Sequence, residues 1–208
     1  MKSEGCKLKA DQIYNMNKSS VKDGIVHFGG FCTGEIVSNQ GLVFTNHHCG
    51  FDAIAHLSTT EHNYLDNGFW AKNGSDEIPV RGLTASIMVY MQDVTARVTG
   101  AANKDEEIKK IIAEATNGNT YTAKVESMFF GNEYYLTVHE VFKDIRLVGT
   151  PPQSLGKFGG DTDNWMWPRH TGDFSIFRIY ANKDNMPADY SPDNVPYKPK
   201  YTIPISLK

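Results

Sequence analysis

The sequence lacks the features of several protein classes. Its 208 residues contain no run of about 18 apolar residues, which excludes an ordinary transmembrane helix. The formal net charge is −3 at pH 7 and no long run of like charges occurs, so a broad nucleic-acid-binding surface is not expected. The segment MKSEGCKLKADQ at the start has no apolar stretch typical of a signal peptide. This leaves open a cytosolic protein or a chain that begins after an export signal.

Cysteine is scarce, and its positions are informative. If Gln40 and Gly41 form a two-residue hairpin turn, cross-strand partners have residue numbers that add up to 81, as do those of Cys32 and Cys49. Opposite residues of an antiparallel pair have Cα atoms about 4.5–5.5 Å apart, within the range of a disulfide. We therefore predict a Cys32–Cys49 disulfide, which indicates an oxidising compartment and leaves Cys6 unpaired. Two buried free cysteines in a cytosolic barrel are the alternative.

Short segments rich in Val, Thr, Tyr and Phe dominate the chain and predict strands. They cover residues 24–28, 31–37, 42–45, 83–92, 120–130, 133–147, 173–180 and 201–207. Helices are expected at 8–18, 50–57, 60–66 and 103–115, and long loops at 156–172 and 182–199. The pattern favours a mainly β protein, a barrel or sandwich with helical insertions.

Two adjacent histidines, His47 and His48, end the predicted strand before Cys49. A strand directs only one of two neighbours to a given face, so one of them is a candidate for chemistry. A zinc site formed by His47, His48 and Cys49 is the alternative. Neighbouring ligands on one extended strand diverge, however, and no C-x-x-C or H-x-x-x-H spacing lies nearby. We therefore expect no metal and no cofactor.

The strings TNHHCG (45–50) and GGDTDNWMWPRHTGDFS (159–175) closely resemble the bacterial S46 serine peptidases, the dipeptidyl-peptidases 7 and 11 and their relatives. The resemblance implies a chymotrypsin-like fold, with an amino-terminal segment and short helix at 1–22 and the first β-barrel with inserted helices at 23–208. It implies that His48 is the general base. A second barrel and a helical domain, expected in such enzymes, are absent from these residues.

A general-base histidine needs an acceptor, usually a carboxylate, that holds its other ring nitrogen. Of Asp161, Asp163 and Asp173, only Asp173 opens a predicted strand, and the run DFSIFRI resembles the strand that carries the triad aspartate in chymotrypsin-like enzymes. We therefore assign Asp173 to this role. The resemblance further implies that Asn164 and Trp165 bind the free amino terminus of a peptide substrate.

A nucleophilic serine is missing, because no Gly-x-Ser-Gly string occurs in the chain. We therefore expect the amino-terminal part of an S46-like dipeptidyl-peptidase, unable to hydrolyse dipeptidyl substrates by itself. A non-catalytic module that binds peptide N-termini, or a gene remnant, is the alternative. The expected partners are a peptide substrate and either the remaining catalytic domain or a second copy of the chain. By resemblance and the predicted disulfide, the expected location is the periplasm or cell surface.

Overall fold

The fold is built on one antiparallel sheet. The computed structural model describes residues 3, 5–15, 18, 20–163, 166–168 and 170–205, and for Asp161 and Asp163 the backbone alone. Within these residues eleven strands form: β1 Ile25–Phe28, β2 Cys32–Ile36, β3 Leu42–Thr45, β4 Phe69–Trp70, β5 Ile78–Pro79, β6 Ala85–Asp93, β7 Thr122–Met128, β8 Glu133–Phe142, β9 Asp144–Thr150, β10 Ser175–Ala181 and β11 Val195–Pro196. The prediction of a mainly β protein is confirmed.

Among the described residues, one short α-helix precedes the first strand, and six are inserted between the strands. They are α1 Ala10–Ile13, α2 His47–Leu57, α3 Tyr64–Asn67, α4 Thr95–Gly100, α5 Lys104–Thr116, α6 Gln153–Gly156 and α7 Gly160–Asp163. None of the helices in the described part of the chain has the length and apolar character needed to cross a lipid bilayer.

The sheet bends round on itself. Its strand order is β4-β9-β10-β3-β2-β1-β6-β8-β7, with β5 also on β9 and β11 also on β10. Only Lys143 separates β8 from β9 in the sequence. In the strand order, however, β8 lies beside β6 and β9 lies beside β10, and four steps separate β6 from β10. The chain can make this link only if the two regions of the sheet are brought close together.

The main core fills the inside of this bend. Phe28 and Phe177 contact each other with ring centroids 4.9 Å apart, and Phe142 packs on Tyr197 at 4.4 Å. These three phenylalanines are fully buried, as are Ile36, Ile54, Ile145, Leu147 and Ile179. Burial of each such side chain contributes about 1.5–3 kcal/mol, so the core fixes strands β1, β2, β3, β9 and β10 in place.

A smaller apolar cluster lies under α4 and α5, where these helices cover β7 and β8. It contains Val94, Val98, Ile111, Leu136 and Val138. Helix α5 was predicted over 103–115 and forms at Lys104–Thr116, because Asn103 caps it and acidic residues occupy its first turn.

The hairpin between β2 and β3 differs from its prediction. Ile36 pairs with Val43, and the Val37 N–H donates to the Leu42 carbonyl, so the register is two residues away from the predicted one. The loop has four residues, 38–41, rather than two. The Ser38 hydroxyl accepts hydrogen bonds from the N–H groups of Gln40 and Leu42 and so starts the turn earlier.

Four further predictions were wrong in part. Of the described residues in the helix expected at 8–18, only those of α1 are helical, and the loop expected at 156–172 contains the end of α6 and all of α7. His47 and His48 begin α2 instead of ending a strand. Residues 201–205 form no strand, although the Ile203 N–H donates to the Ile36 carbonyl at 2.8 Å. The rest of that predicted strand lies outside the described residues.

Candidate functional site

The pairing of β3 with β10 places the candidate site. Ser175, the first residue of β10, lies opposite Thr45, the last residue of β3. Because the two strands are antiparallel, the residues after Thr45 and the residues before Ser175 emerge at the same edge of the sheet. His48 and Asp173, which are 125 positions apart in the sequence, are thereby brought together.

A single carboxylate holds both the backbone and the side chain of His48. Asp173 Oδ1 accepts a hydrogen bond from the His48 backbone N–H at 3.2 Å. Asp173 Oδ2 lies 3.0 Å from His48 Nδ1. The Asp173 side chain is only 13% exposed, whereas that of His48 is 56% exposed. The imidazole therefore lies at the surface, and the carboxylate that it contacts is mostly buried.

This arrangement determines where the proton of a neutral His48 resides. A carboxylate can only accept a hydrogen bond, so Nδ1 carries the hydrogen and Nε2 presents a lone pair. None of the described residues forms a hydrogen bond to Nε2. The geometry therefore leaves a basic nitrogen available to a hydroxyl group brought to this surface, with a carboxylate behind it to stabilise the imidazolium that forms.

The disulfide joins the helix that carries His48 to the sheet. Cys49 in the first turn of α2 is bonded to Cys32 at the start of β2, with Cα atoms 6.0 Å apart. The bond forms although the predicted strand register was wrong, because Cys49 reaches Cys32 from the first turn of α2 and not from a strand paired with β2. Cys6 is a free cysteine.

His47 has a different environment from His48. Its side chain is 1% exposed, its Nδ1 lies 3.2 Å from the Thr150 hydroxyl, and its Nε2 has no hydrogen-bond partner among the described residues. Gly156 lies directly against the ring. Burial lowers the pKa of His47, partly offset by the charge of Asp173. The neutral His47 thus anchors the start of α2 to the last residue of β9 and to Gly156 in α6.

The state of the cysteines argues against the alternative zinc site at His47, His48 and Cys49. The potential ligand atoms of Cys32, His48 and Cys49 lie within 4.8 Å of one another. Both sulfurs, however, are joined in the disulfide, so neither offers the thiolate that binds zinc. His47, the remaining predicted ligand, directs Nδ1 to Thr150.

The predicted substrate-binding residues, Asn164 and Trp165, lie outside the described residues. Of their neighbours, Trp167 is 87% exposed. His170 is also exposed and makes an edge contact with Phe158, with ring centroids 6.3 Å apart.

Sequence reasoning missed three residues at the site. Asn46 donates a hydrogen bond from Nδ2 to Asp173 Oδ2 at 3.1 Å. Thr150 and Gly156 surround His47. Asn46 could have been suspected because it belongs to the TNHHCG string, but nothing in the local sequence links His47 to positions more than a hundred residues away.

The comparison with protein families gives a decisive result. Residues 1–208 match the family described as Peptidase S46. The chain belongs to the peptidase S46 family. The resemblance read from TNHHCG and the 159–175 string is therefore confirmed.

Curated S46 relatives match over all of this chain. It is 53% identical to the Asp/Glu-specific dipeptidyl-peptidase of Flavobacterium psychrophilum and 50% identical to dipeptidyl-peptidase 7 of Capnocytophaga gingivalis. In each case the chain spans 31% of the relative's length. More than two-thirds of each relative's length therefore lies outside the matched region.

Solved S46 structures show the same fold. Porphyromonas endodontalis DPP11 in complex with the dipeptide Arg-Glu matches with a TM-score of 0.89 and 47% identity, over 97% of this chain and 31% of that one. The same protein in complex with substrate matches with a TM-score of 0.90 and 46% identity, over 98% of this chain and 32% of that one.

Proposed function

We propose that the chain is the amino-terminal part of a serine-type dipeptidyl-peptidase, in which His48 is the general base and Asp173 orients it. The observation that carries the proposal is the double contact of Asp173 with His48, at 3.0 Å to Nδ1 and 3.2 Å to the backbone nitrogen. Support for the reaction class comes from the S46 relatives, which are dipeptidyl-peptidases.

In the proposed mechanism His48 Nε2 removes the proton of a serine hydroxyl as the oxygen attacks the peptide carbonyl. Asp173 stabilises the resulting imidazolium, which gives its proton to the leaving amine as the C–N bond breaks. Water, deprotonated by His48, then attacks the serine ester and releases the dipeptide. The serine would come from the two-thirds of the relatives that this chain does not match. This fits the lack of a Gly-x-Ser-Gly string in the 208 residues.

The proposed substrate is a peptide with a free amino terminus, from which a dipeptide is released. The complexes of Porphyromonas endodontalis DPP11 with Arg-Glu and Arg-Asp support a site of dipeptide length. We assign recognition of the α-ammonium group to Asn164 and Trp165, since an amide oxygen can accept from the ammonium and an aromatic face attracts it.

We also infer a chymotrypsin-like barrel half and a location in the periplasm or at the cell surface. The bent antiparallel sheet supports the first inference. The Cys32–Cys49 disulfide supports the second, since disulfides persist mainly in oxidising compartments outside the cytoplasm.

The test is a chimera of these 208 residues followed by the unmatched part of the Flavobacterium psychrophilum relative. Dipeptides released from an unblocked peptide and from its acetylated form are measured by mass spectrometry. We expect release from the unblocked peptide only, and a loss of about 10⁴-fold or more in kcat for His48→Ala. His56→Ala is the matched control, because His56 is exposed on the same helix, about 12 Å further along its axis.

Three outcomes are informative. Loss of activity in His48→Ala and Asp173→Ala, with His56→Ala unaffected, supports the proposal. Dipeptide release that survives His48→Ala contradicts it. A folded chimera that binds the unblocked peptide without cleaving it contradicts it as well, and favours the non-catalytic binding module.

A further inference from the structure

Asn46, directly before the two histidines, occupies a helix-capping position but does not cap the helix with its side chain. Asn46 is the N-cap residue of α2, yet its side chain forms no capping hydrogen bond. Three other N-cap asparagines among the described residues do cap their helices, through Oδ1 and a backbone N–H of the first turn. They are Asn63 before α3, Asn103 before α5, and Asn73 before a short 3₁₀ helix at Gly74–Asp76.

Asp173 takes over the capping function that Asn46 leaves. Its Oδ1 accepts from the backbone N–H of His48, the second residue of α2, which an N-cap side chain would ordinarily bind. A negative charge at the amino end of a helix is also favoured by the helix dipole. The carboxylate is therefore fixed to the helix that carries His48.

Asn46 directs its amide to that carboxylate instead. Its Nδ2 donates to Asp173 Oδ2 at 3.1 Å and lies 3.4 Å from the Asp173 backbone carbonyl. Both partners are acceptors, so the amide nitrogen and not the amide oxygen must face Asp173. Oδ2 is the same atom that lies 3.0 Å from His48 Nδ1.

We propose that Asn46 is a positioning residue, which holds Asp173 in the orientation that fixes His48. The outer dihedral angle of an aspartate is soft, so its two oxygens are aimed by the donors around them. With Asn46 in place, Oδ1 receives one donor and Oδ2 receives two, and the carboxylate plane is defined. Without Asn46, rotation of the carboxylate releases His48 Nδ1. The inference rests on the proposed function for its effect on catalysis, but not for its effect on the imidazole.

Two substitutions separate positioning from capping. Asn46→Asp keeps a side chain that caps helices as well as asparagine does, but it removes the donor and adds a charge that repels Asp173. Asn46→Ala removes both properties. Asn103→Ala and Asn103→Asp are matched controls, since Asn103 caps α5 far from the site through bonds to Asp105 and Glu106.

The first measurement uses the 208-residue chain itself. The ring-nitrogen chemical shifts of His48, recorded by NMR above pH 8, report which nitrogen carries the hydrogen. We expect the Nδ1–H tautomer to dominate in the unmodified chain and in Asn103→Ala, and a mixture with the Nε2–H tautomer in Asn46→Ala. This readout is independent of whether the protein hydrolyses peptides.

The second measurement uses the chimera and its kcat and KM. We expect kcat to fall about tenfold to a hundredfold in Asn46→Ala and Asn46→Asp, as for the loss of one hydrogen bond to a charged group, with KM nearly unchanged. Asn103→Ala should lower the melting temperature without changing kcat. An unchanged His48 tautomer in Asn46→Ala, or an unchanged kcat in Asn46→Asp, overturns the proposal. If the unmodified chimera is inactive, the proposed function fails and the tautomer still decides on Asn46.

Discussion

A methyl group added at Gly156 should disturb the support of the site. A Cβ atom there would lie 2.5 Å from His47 Cγ, 2.6 Å from Nδ1 and 2.7 Å from Cδ2, whereas ordinary contact begins at 3.4 Å. To bring the shortest of these contacts, 2.5 Å, to 3.4 Å, the ring would have to move by about 0.9 Å. With 1% of its surface exposed, the ring is enclosed and has no free space on the solvent side.

We expect Gly156→Ala to lower the free energy of unfolding by about 1–3 kcal/mol, as overpacking does in other cores. In a chain of this size, each kcal/mol corresponds to a fall of about 2–4 °C in the melting temperature. Because His47 precedes His48 in the first turn of α2, the shift should also weaken the contact between His48 and Asp173.

Thermal and urea unfolding, followed by circular dichroism, measure the effect. Gly100→Ala is the control, because a Cβ at Gly100, the last residue of α4, meets no atom within 4 Å. This substitution should leave stability unchanged or raise it by up to about 1 kcal/mol. Adding His47→Ala to Gly156→Ala should relieve the overlap, so the double variant should be more stable than the sum of the single effects by about 0.5 kcal/mol or more. Additive effects, or full stability of Gly156→Ala, would refute the reasoning.

Two further predictions concern acid and reduction. Burial lowers the pKa of His47 and of His139 from the ordinary 6.5, so the unfolded chain takes up protons that the folded chain does not. The contribution of these two histidines to the free energy of unfolding is therefore complete above pH 6.5 and is lost as the pH falls below 6.5. His139→Gln should make the urea midpoint less dependent on pH below pH 6.5. Replacing Cys32 and Cys49 by serine opens a loop with a sequence separation of 17 and should lower stability by about 3 kcal/mol. Cys6→Ser should change stability by less than about 0.5 kcal/mol, which calorimetry can verify.

The sequence predicted best those helices and strands whose stabilising residues lie within the element itself or directly beside it. The helix α5 has its cap, its acidic first turn and its apolar face within 14 positions, and its prediction was off by one residue at each end. The strands β6 and β10 were found in the same way, from dense β-branched and aromatic residues.

The errors came where distant residues decide the local structure. The helix predicted at 50–57 in fact begins at His47, because the group that caps its first turn belongs to the distant Asp173. The hairpin register is a different case, since the Ser38 hydroxyl that accepts from Gln40 and Leu42 lies inside the loop itself. The chemistry at His48 and Asp173 was inferred from motif resemblance, and their contact was seen only in three dimensions.

The separation of 125 positions between His48 and Asp173 has a consequence for folding. The hairpin of β2 and β3 and the disulfide can form from nearby residues, but the site requires β10 to dock on β3. Closing so long a loop is slow, since its entropy must be lost before the contact forms. The tautomer of His48 is therefore a reporter of completed folding: an intermediate with the first hairpin and its disulfide intact would still carry a histidine whose ring is free to exchange its proton between both nitrogens.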